Sequence, residues 1–228
     1  MPVESRADRV RTYHARRGRL SALTRTRLAE LLPRYAAPAA LLRRPRDPGG
    51  PGRIVLEIGC GHGAAALGYA AAHPRDALIA LDVHPPGVAR LLAATAAAGL
   101  GNLYAEIGDA VGYLDEQVGP GALDAVHLFF PDPWPKARHR RRRFVSADTL
   151  DLLADRLTPD GQLLLATDSP AYVDMVRREV AAHGAFVVLA AQRPGWRPVS
   201  GFEAKAIDAG RPVTELRLTR ACRPDASP

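Results

Sequence analysis

The stretch Ile54-Val55-Leu56-Glu57-Ile58-Gly59-Cys60-Gly61-His62-Gly63 decides the fold. Five residues, aliphatic apart from Glu57, read as a strand and run into a loop with glycine at every second position. Ala64 to Ala72 then reads as an alanine-rich helix stopped at Pro74. Working outward, the same strand-then-helix alternation recurs. Strands are expected at 77–82, 103–107, 125–130, 162–167, 186–190 and 214–219. Helices are expected at 86–97, closed by Gly99, at 146–157, where Leu150, Leu153 and Leu157 keep helical spacing, and at 170–183. Thr158-Pro159-Asp160-Gly161 reads as a turn, and 193–212 as a loop rich in Pro, Gly and Arg. Alternating β and α elements imply an α/β, doubly wound, Rossmann-like fold with a mainly parallel seven-stranded sheet. The last two strands show no helix between them, so an antiparallel edge strand is expected there.

The chain has 228 residues, enough for one large domain and an extension. Residues 1–45 read as a basic N-terminal arm with a short helix around Leu23 to Leu32, 46–222 as the α/β domain, and 223–228 as a disordered tail. No apolar run approaches a membrane span and the N-terminus lacks a signal-peptide core, so a cytoplasmic protein without a membrane partner is expected, either monomer or homodimer. Cys60 and Cys222 give neither a disulfide framework nor metal-ligand spacing, so no metal is expected. Cys60 reads most simply as a small buried filler.

Charge narrows the class of partner. Residues 1–53 hold thirteen arginines against four acids, giving +9, whereas the whole chain carries +7. The remaining body is therefore slightly acidic, although it contains the five arginines of 138–143. Two basic patches on an acidic body point to a polyanion held through its phosphates. Lys136 and Lys205 are the only lysines among 31 basic residues, a hint that each site wants a compact ammonium.

Three successive strands end in acids at one edge: Glu57, Asp82 and Asp109. Gly59 and Gly61 let a ligand approach backbone amides closely. Asp82 is suited to accept from a ribose diol, and Asp109 to receive an adenine amino group. Gly59-x-Gly61-x-x-Ala64 satisfies a dinucleotide fingerprint only weakly, and Glu57 would repel a pyrophosphate. A ligand with an ammonium and a sulfonium suits Glu57 better, which favours S-adenosyl-L-methionine over NAD.

The second signal is Phe129-Phe130-Pro131-Asp132-Pro133-Trp134-Pro135-Lys136, followed by Ala137-Arg138-His139-Arg140-Arg141-Arg142-Arg143. A buried strand ends in a proline-stiffened turn bearing a carboxylate, an indole and an ammonium, and a guanidinium block follows. Ligands of open α/β sheets bind beyond the carboxyl ends of strands. Trp134 is suited either to stacking on a displaced base or to packing under the turn, and the flanking prolines favour packing. Asp168 precedes a helix and suits either a substrate contact or an N-cap.

With these residues the chain resembles the bacterial-type tRNA (guanine-N7-)-methyltransferase family, a group of S-adenosylmethionine-dependent class I methyltransferases. The most specific match is Phe129 to His139. Leu56-Glu57-Ile58-Gly59, Val83-His84-x-Pro86-Gly87-Val88, Gly108-Asp109-Ala110, Ala166-Thr167-Asp168 and Arg197-Pro198-Val199-Ser200-Gly201-Phe202-Glu203 support it. The resemblance implies that Glu57, Gly59, Gly61, Asp82, Asp109 and Asp132 contact S-adenosylmethionine, with Asp132 also catalytic. It implies substrate contacts from Lys136, Asp168, Ser200, Gly201, Phe202 and Glu203. Arg138, His139, Arg140, Arg141, Arg142 and Arg143 would contact tRNA, and the methyl acceptor would be the variable-loop guanosine at tRNA position 46. The chain departs from the family pattern at Asp82, usually Glu, and at Ser200, usually Thr. Rival readings are an exocyclic-amino methyltransferase, whose Asp-Pro-Pro-aromatic motif differs in spacing, and a catalytically inactive RNA-binding relative.

Overall fold

The computed structural model describes residues 12–13, 19–43, 50–199 and 201–221. Residues 1–11, 14–18 and 44–45 of the expected arm fall outside these residues, as do Ser200 and the 223–228 tail, whereas the short helix expected around Leu23 to Leu32 is observed at Ala22–Leu31. Seven strands form one sheet: β1 (Ile54–Ile58), β2 (Ala77–Asp82), β3 (Leu103–Ile107), β4 (Leu123–Phe129), β5 (Leu157–Thr167), β6 (Phe186–Ala190) and β7 (Thr214–Arg220). Their order across the sheet is β3-β2-β1-β4-β5-β7-β6. The pairs from β3 to β5 are parallel, and β7 runs antiparallel to both β5 and β6. The chain reverses direction at this edge as the sequence implies, with β7 inserted one place in from the end.

Helices α1 (Ala22–Leu31), α2 (Ala64–Ala72), α3 (Pro85–Ala97), α4 (Ala110–Glu116), α5 (Ala147–Arg156), α6 (Pro170–His183) and α7 (Gly201–Asp208) complete the described elements, with three short 3-10 turns. Local chemistry sets their ends. Ser146 and Thr149 form a reciprocal capping box on α5, and Ser169 caps α6 ahead of Pro170. His84 precedes Pro85 at the start of α3, where a missing N–H costs nothing.

Two apolar clusters sandwich the sheet. On one face Leu56, Ile58, Val126, Leu128, Leu163, Leu165, Leu216 and Leu218 pack with Leu114, Leu150, Leu153 and Val176 from α4, α5 and α6. On the other, Val55, Leu78, Ala80 and Ala125 meet Ala66, Tyr69, Val88 and Leu91 from α2 and α3. With helices on both faces, β1 is buried at every position, which explains why it is aliphatic everywhere except Glu57.

Three sequence expectations are corrected. The 193–212 loop contains α7, so β6 and β7 do have a helix between them; Gly201 opens it and Glu203 sits in its first turn. The expected turn at 158–161 lies within the span of β5, which begins at Leu157 opposite Leu123 and shifts register before Gln162. The strand expected at 125–130 runs from Leu123 to Phe129, because Phe130 adopts φ +52 and turns the chain out of the sheet. Helix α4 gave no clear signal: its Gly112 and single apolar turn hide the period.

Candidate active site

Sheet order arranges the strand-end acids in a row. Reading across β3, β2, β1, β4 and β5, the carboxyl edge carries Asp109, Asp82, Glu57, Asp132 and Asp168. No sequence period brings these five residues together; the crossover topology does.

Asp82 closes the glycine loop. Its Oδ2 accepts from Gly61 N–H at 2.7 Å and its Oδ1 from His84 N–H at 2.8 Å. Gly59 and Cys60 donate to the Leu81 carbonyl at 2.8 and 3.2 Å, so the loop folds back over the end of β2. Gly59 and Gly61 adopt φ +77 and +57, and space is open where a Cβ would stand on either. An L side chain would be strained there and would fill the space above the loop backbone. Cys60 is buried, as expected.

Glu57 is 3% exposed, and its Oε2 has no hydrogen-bond partner among the described residues. Burial pushes its carboxyl up to about 8; the Arg197 guanidinium pulls the other way, and the Asp82 carboxylate adds to the rise. Asp109 caps α4 by accepting from Gly112 N–H at 3.0 Å through Oδ2, while its Oδ1 is buried and unpartnered among the described residues. An orphaned buried acceptor is costly unless a ligand completes it. These two oxygens, with the open backbone at Gly59 and Gly61 between them, suit a ligand that brings cationic or N–H donors.

The Pro-rich turn after β4 is held in strained backbone. Phe130 and Trp134 adopt φ +52 and +40, a region that costs bulky residues of order 1–3 kcal/mol. Trp134 is 4% exposed, carries the Arg142 guanidinium 3.6 Å above its ring and donates Nε1–H to the Thr12 carbonyl at 3.3 Å. Packing under the turn, favoured by the prolines, is what the structure shows. The guanidinium block is accordingly divided. Arg142 also donates to the Tyr13 carbonyl at 2.9 Å, and Arg143 donates twice to the Trp134 carbonyl. His139 meets the Trp134 ring edge-on at 5.4 Å. Arg138, Arg140 and Arg141 are exposed, as is Lys136 at the start of the 3-10 turn.

Among the residues expected to meet the substrate, Asp168 pairs with Arg211 at 2.9 Å. The capping alternative for Asp168 is corrected: Ser169 supplies the cap, one residue nearer the helix. Phe202 is 60% exposed, with Lys205 Nζ 5.5 Å from its ring centre. Glu203 is buried at 3% and accepts from Arg193 at 2.6 Å and Arg197 at 3.2 Å.

Arg197 carried no assigned role in the sequence and is central here. It is 2% exposed, pairs with both Glu203 and Glu215, and lies over the rings of Phe129 at 4.5 Å and Phe130 at 5.9 Å. It thereby ties α7 and β7 to the end of β4. The available signal was two acids, Glu203 and Glu215, within reach of one arginine in a proline-bounded loop; only the fold shows that they converge.

A seven-stranded sheet in this order, with a glycine loop after β1 and acids along the carboxyl edge, defines a class I methyltransferase. Residues 51–216 match the family described as "Putative methyltransferase". The chain is 37% identical over 223 residues to the tRNA (guanine-N(7)-)-methyltransferase of Nitrosomonas europaea, covering 92% of this chain and 96% of that one. It is 38% identical to the enzyme of the same name from Burkholderia cenocepacia, covering 91% and 84%. The chain belongs to the tRNA (guanine-N7-)-methyltransferase family. Among solved structures, the fold resembles precorrin-6y C5,15-methyltransferase from Geobacter metallireducens, with a TM-score of 0.53, 14% identity and coverage of 79% and 85%.

Proposed function

We propose that this protein transfers a methyl group from S-adenosyl-L-methionine to N7 of the variable-loop guanosine, position 46, of tRNA in the cytoplasm, and that residues 46–222 form the catalytic domain. The observation that carries the reading is the row Asp109, Asp82, Glu57, Asp132 and Asp168, in which Glu57 and Asp109 each keep a buried oxygen without a partner among the described residues. When bound, the cofactor supplies an electrophilic methyl on a sulfonium. Glu57 then meets its ammonium, Asp82 its ribose hydroxyls and Asp109 its adenine amino group, while Gly59 and Gly61 leave room for it. Asp82 is one methylene shorter than the family's usual Glu, and its oxygens retain lone pairs beyond the two bonds to backbone amides.

Guanine N7 carries an in-plane lone pair and no proton at neutral pH, so the chain needs no obligatory general base. Its task is alignment, which by proximity alone supplies roughly 7–11 kcal/mol of the barrier. Positive charge moves onto the guanine ring, and carboxylates near its N1 and N2 protons stabilise that charge. Asp132, on the turn after β4, is nearest the reacting atoms, and Asp168 is the edge acceptor. Glu203, engaged by two guanidiniums, serves the substrate by fixing α7, whose Gly201 and exposed Phe202 face solvent with Ser200 just before them. Lys136 and the exposed Arg138, Arg140 and Arg141 supply phosphate contacts, and Arg142, Arg143 and His139 shape the loop that presents them.

The deciding experiment is methyl transfer to a tRNA whose variable-loop guanosine is replaced by 7-deazaguanosine. Transfer is expected to vanish. Undiminished transfer, or an N2- or N6-methylated product from unmodified tRNA, overturns the N7 assignment.

A further inference from the structure

On β4, β5 and β7 the residues that alternate with the core positions Val126, Leu163, Leu216 and Leu218 face away from α4–α6. They border a cavity of about 550 Å³, lined among others by His127, Gln162, Arg217, Arg53, Arg193 and Trp196. His127 belongs to its wall and is 1% exposed, with Nδ1 unpartnered among the described residues. Its ring stacks on Trp196 at 5.2 Å and meets Tyr69 edge-on at 5.1 Å. Burial, reinforced by nearby cations including Arg53 and Arg197, keeps the imidazole neutral, with its pKa pushed down to about 3. A neutral imidazole offers one donor and one acceptor rather than a charge.

The charges around the cavity do not cancel. Glu215 is the only acid among the described residues that line it, and Arg197 pairs with both of its oxygens. Arg193 is committed to Glu203. Arg53 donates to a neutral carbonyl, that of Asp124, at 3.3 Å. Arg217 is exposed and makes no side-chain hydrogen bond or ion pair among the described residues. The Arg217 guanidinium, a half-buried indole and amide-bearing Gln162 and Gln192 together suit a nucleotide: phosphate on the cation, base against the ring and amides.

We propose that this cavity is a second RNA contact, holding a nucleotide near the one that is methylated. The inference rests on tRNA as the substrate and adds a subsite to that reading. The cavity lies beside α7 and the end of β4, since Arg193 lines it while bonding Glu203, and Trp196 precedes the Arg197 that covers Phe129. An RNA strand leaving the guanosine site past α7 would meet Trp196 and Arg217 on this wall.

The test is equilibrium binding of unmodified tRNA to the full chain, saturated with S-adenosylhomocysteine, over a range of salt. Arg217→Gln is expected to weaken binding about three- to tenfold near physiological salt and to reduce the log–log salt slope by about one, with Arg217→Lys restoring most of the slope. Affinity for S-adenosylhomocysteine, measured separately, reports that the variant is folded. Unchanged tRNA affinity and slope in Arg217→Gln overturn the inference while leaving the tRNA reading intact; failure of the wild-type chain to bind tRNA overturns both. Guanosine monophosphate distinguishes the source of the nucleotide. If it binds tightly, is lost in Arg217→Gln and leaves tRNA affinity unaltered, the cavity serves a free nucleotide and the RNA contact is refuted.

Discussion

Arg197 Nη2 and Glu203 Oε1 lie 3.2 Å apart with both side chains buried, joining the loop after β6 to the first turn of α7. Glu215 on β7 completes the pairing on the other side of the guanidinium. Two acids share one buried arginine and Arg193 also holds Glu203, so removing Arg197 leaves the Glu215 carboxylate stranded in low dielectric.

Arg197→Met should therefore cost about 3–5 kcal/mol of stability, the range for breaking a buried pair from one side. Thermal unfolding checks this. The double variant Arg197→Met/Glu215→Gln should recover part of the loss, since Glu203 keeps Arg193 at 2.6 Å whereas Glu215 is the acid left without its cation. No recovery would mean that the Phe129 contact and the Glu203 pairing, rather than Glu215, account for the effect.

Glu57 sets a pH dependence whose sign follows from its raised value. The folded carboxyl titrates near 8 and the unfolded one near 4.5, so between these limits the folded state holds the extra proton. The stability from keeping Glu57 protonated is complete below the lower limit and is lost as pH rises towards the upper, by about 1.4 kcal/mol per unit within the window. The ligand-free protein should become less stable from pH 6 to 8.5 relative to Glu57→Gln, measured as the difference between two unfolding series. Because a cationic ligand favours the ionised carboxylate, S-adenosylmethionine binding should release a proton near pH 7. Titration calorimetry in buffers of different ionisation enthalpy reads that proton directly, and buffer-independent heats would contradict the assignment.

Gly61 and Gly63 should respond differently to alanine. Both have positive φ, which costs an L residue about 1–2 kcal/mol. An added Cβ on Gly63 also overlaps the Leu91 side chain, whereas on Gly61 it meets nothing within 4 Å. Gly63→Ala should thus lower the melting temperature more, and Gly61→Ala should stay folded while losing affinity for S-adenosylhomocysteine, because the methyl occupies the open space above the loop.

The arginines of the loop after β4 should separate into two kinds. Arg142→Gln removes the cation over Trp134 and the bond to the Tyr13 carbonyl, so it should reduce stability together with tRNA affinity. Arg141→Gln, at an exposed position, should change the unfolding free energy by no more than about 0.5 kcal/mol and lower only tRNA affinity and its salt slope. Equal unfolding curves for the two variants would count against a packing role for Arg142.

The sequence by itself determined the alternation of strands and helices, because apolar period and glycine or proline punctuation are local signals. The bounds of β1, α2, β2, β3, α6 and β6 follow directly from them. It also marked Glu57, Asp82, Asp109 and Asp132, since each falls at or just beyond a strand end. Which acids stand side by side, that Asp82 bridges the glycine loop and the start of α3, and that Arg142 and Arg143 are bound to the turn they follow emerge from the folded arrangement. It alone revealed Arg197, whose partners at 203 and 215 are set by the docking of α7 and by the insertion of β7 between β5 and β6. The physical reason is one of range. Backbone preference acts over a few residues, whereas desolvated ion pairing depends on which distant segments the sheet brings into contact.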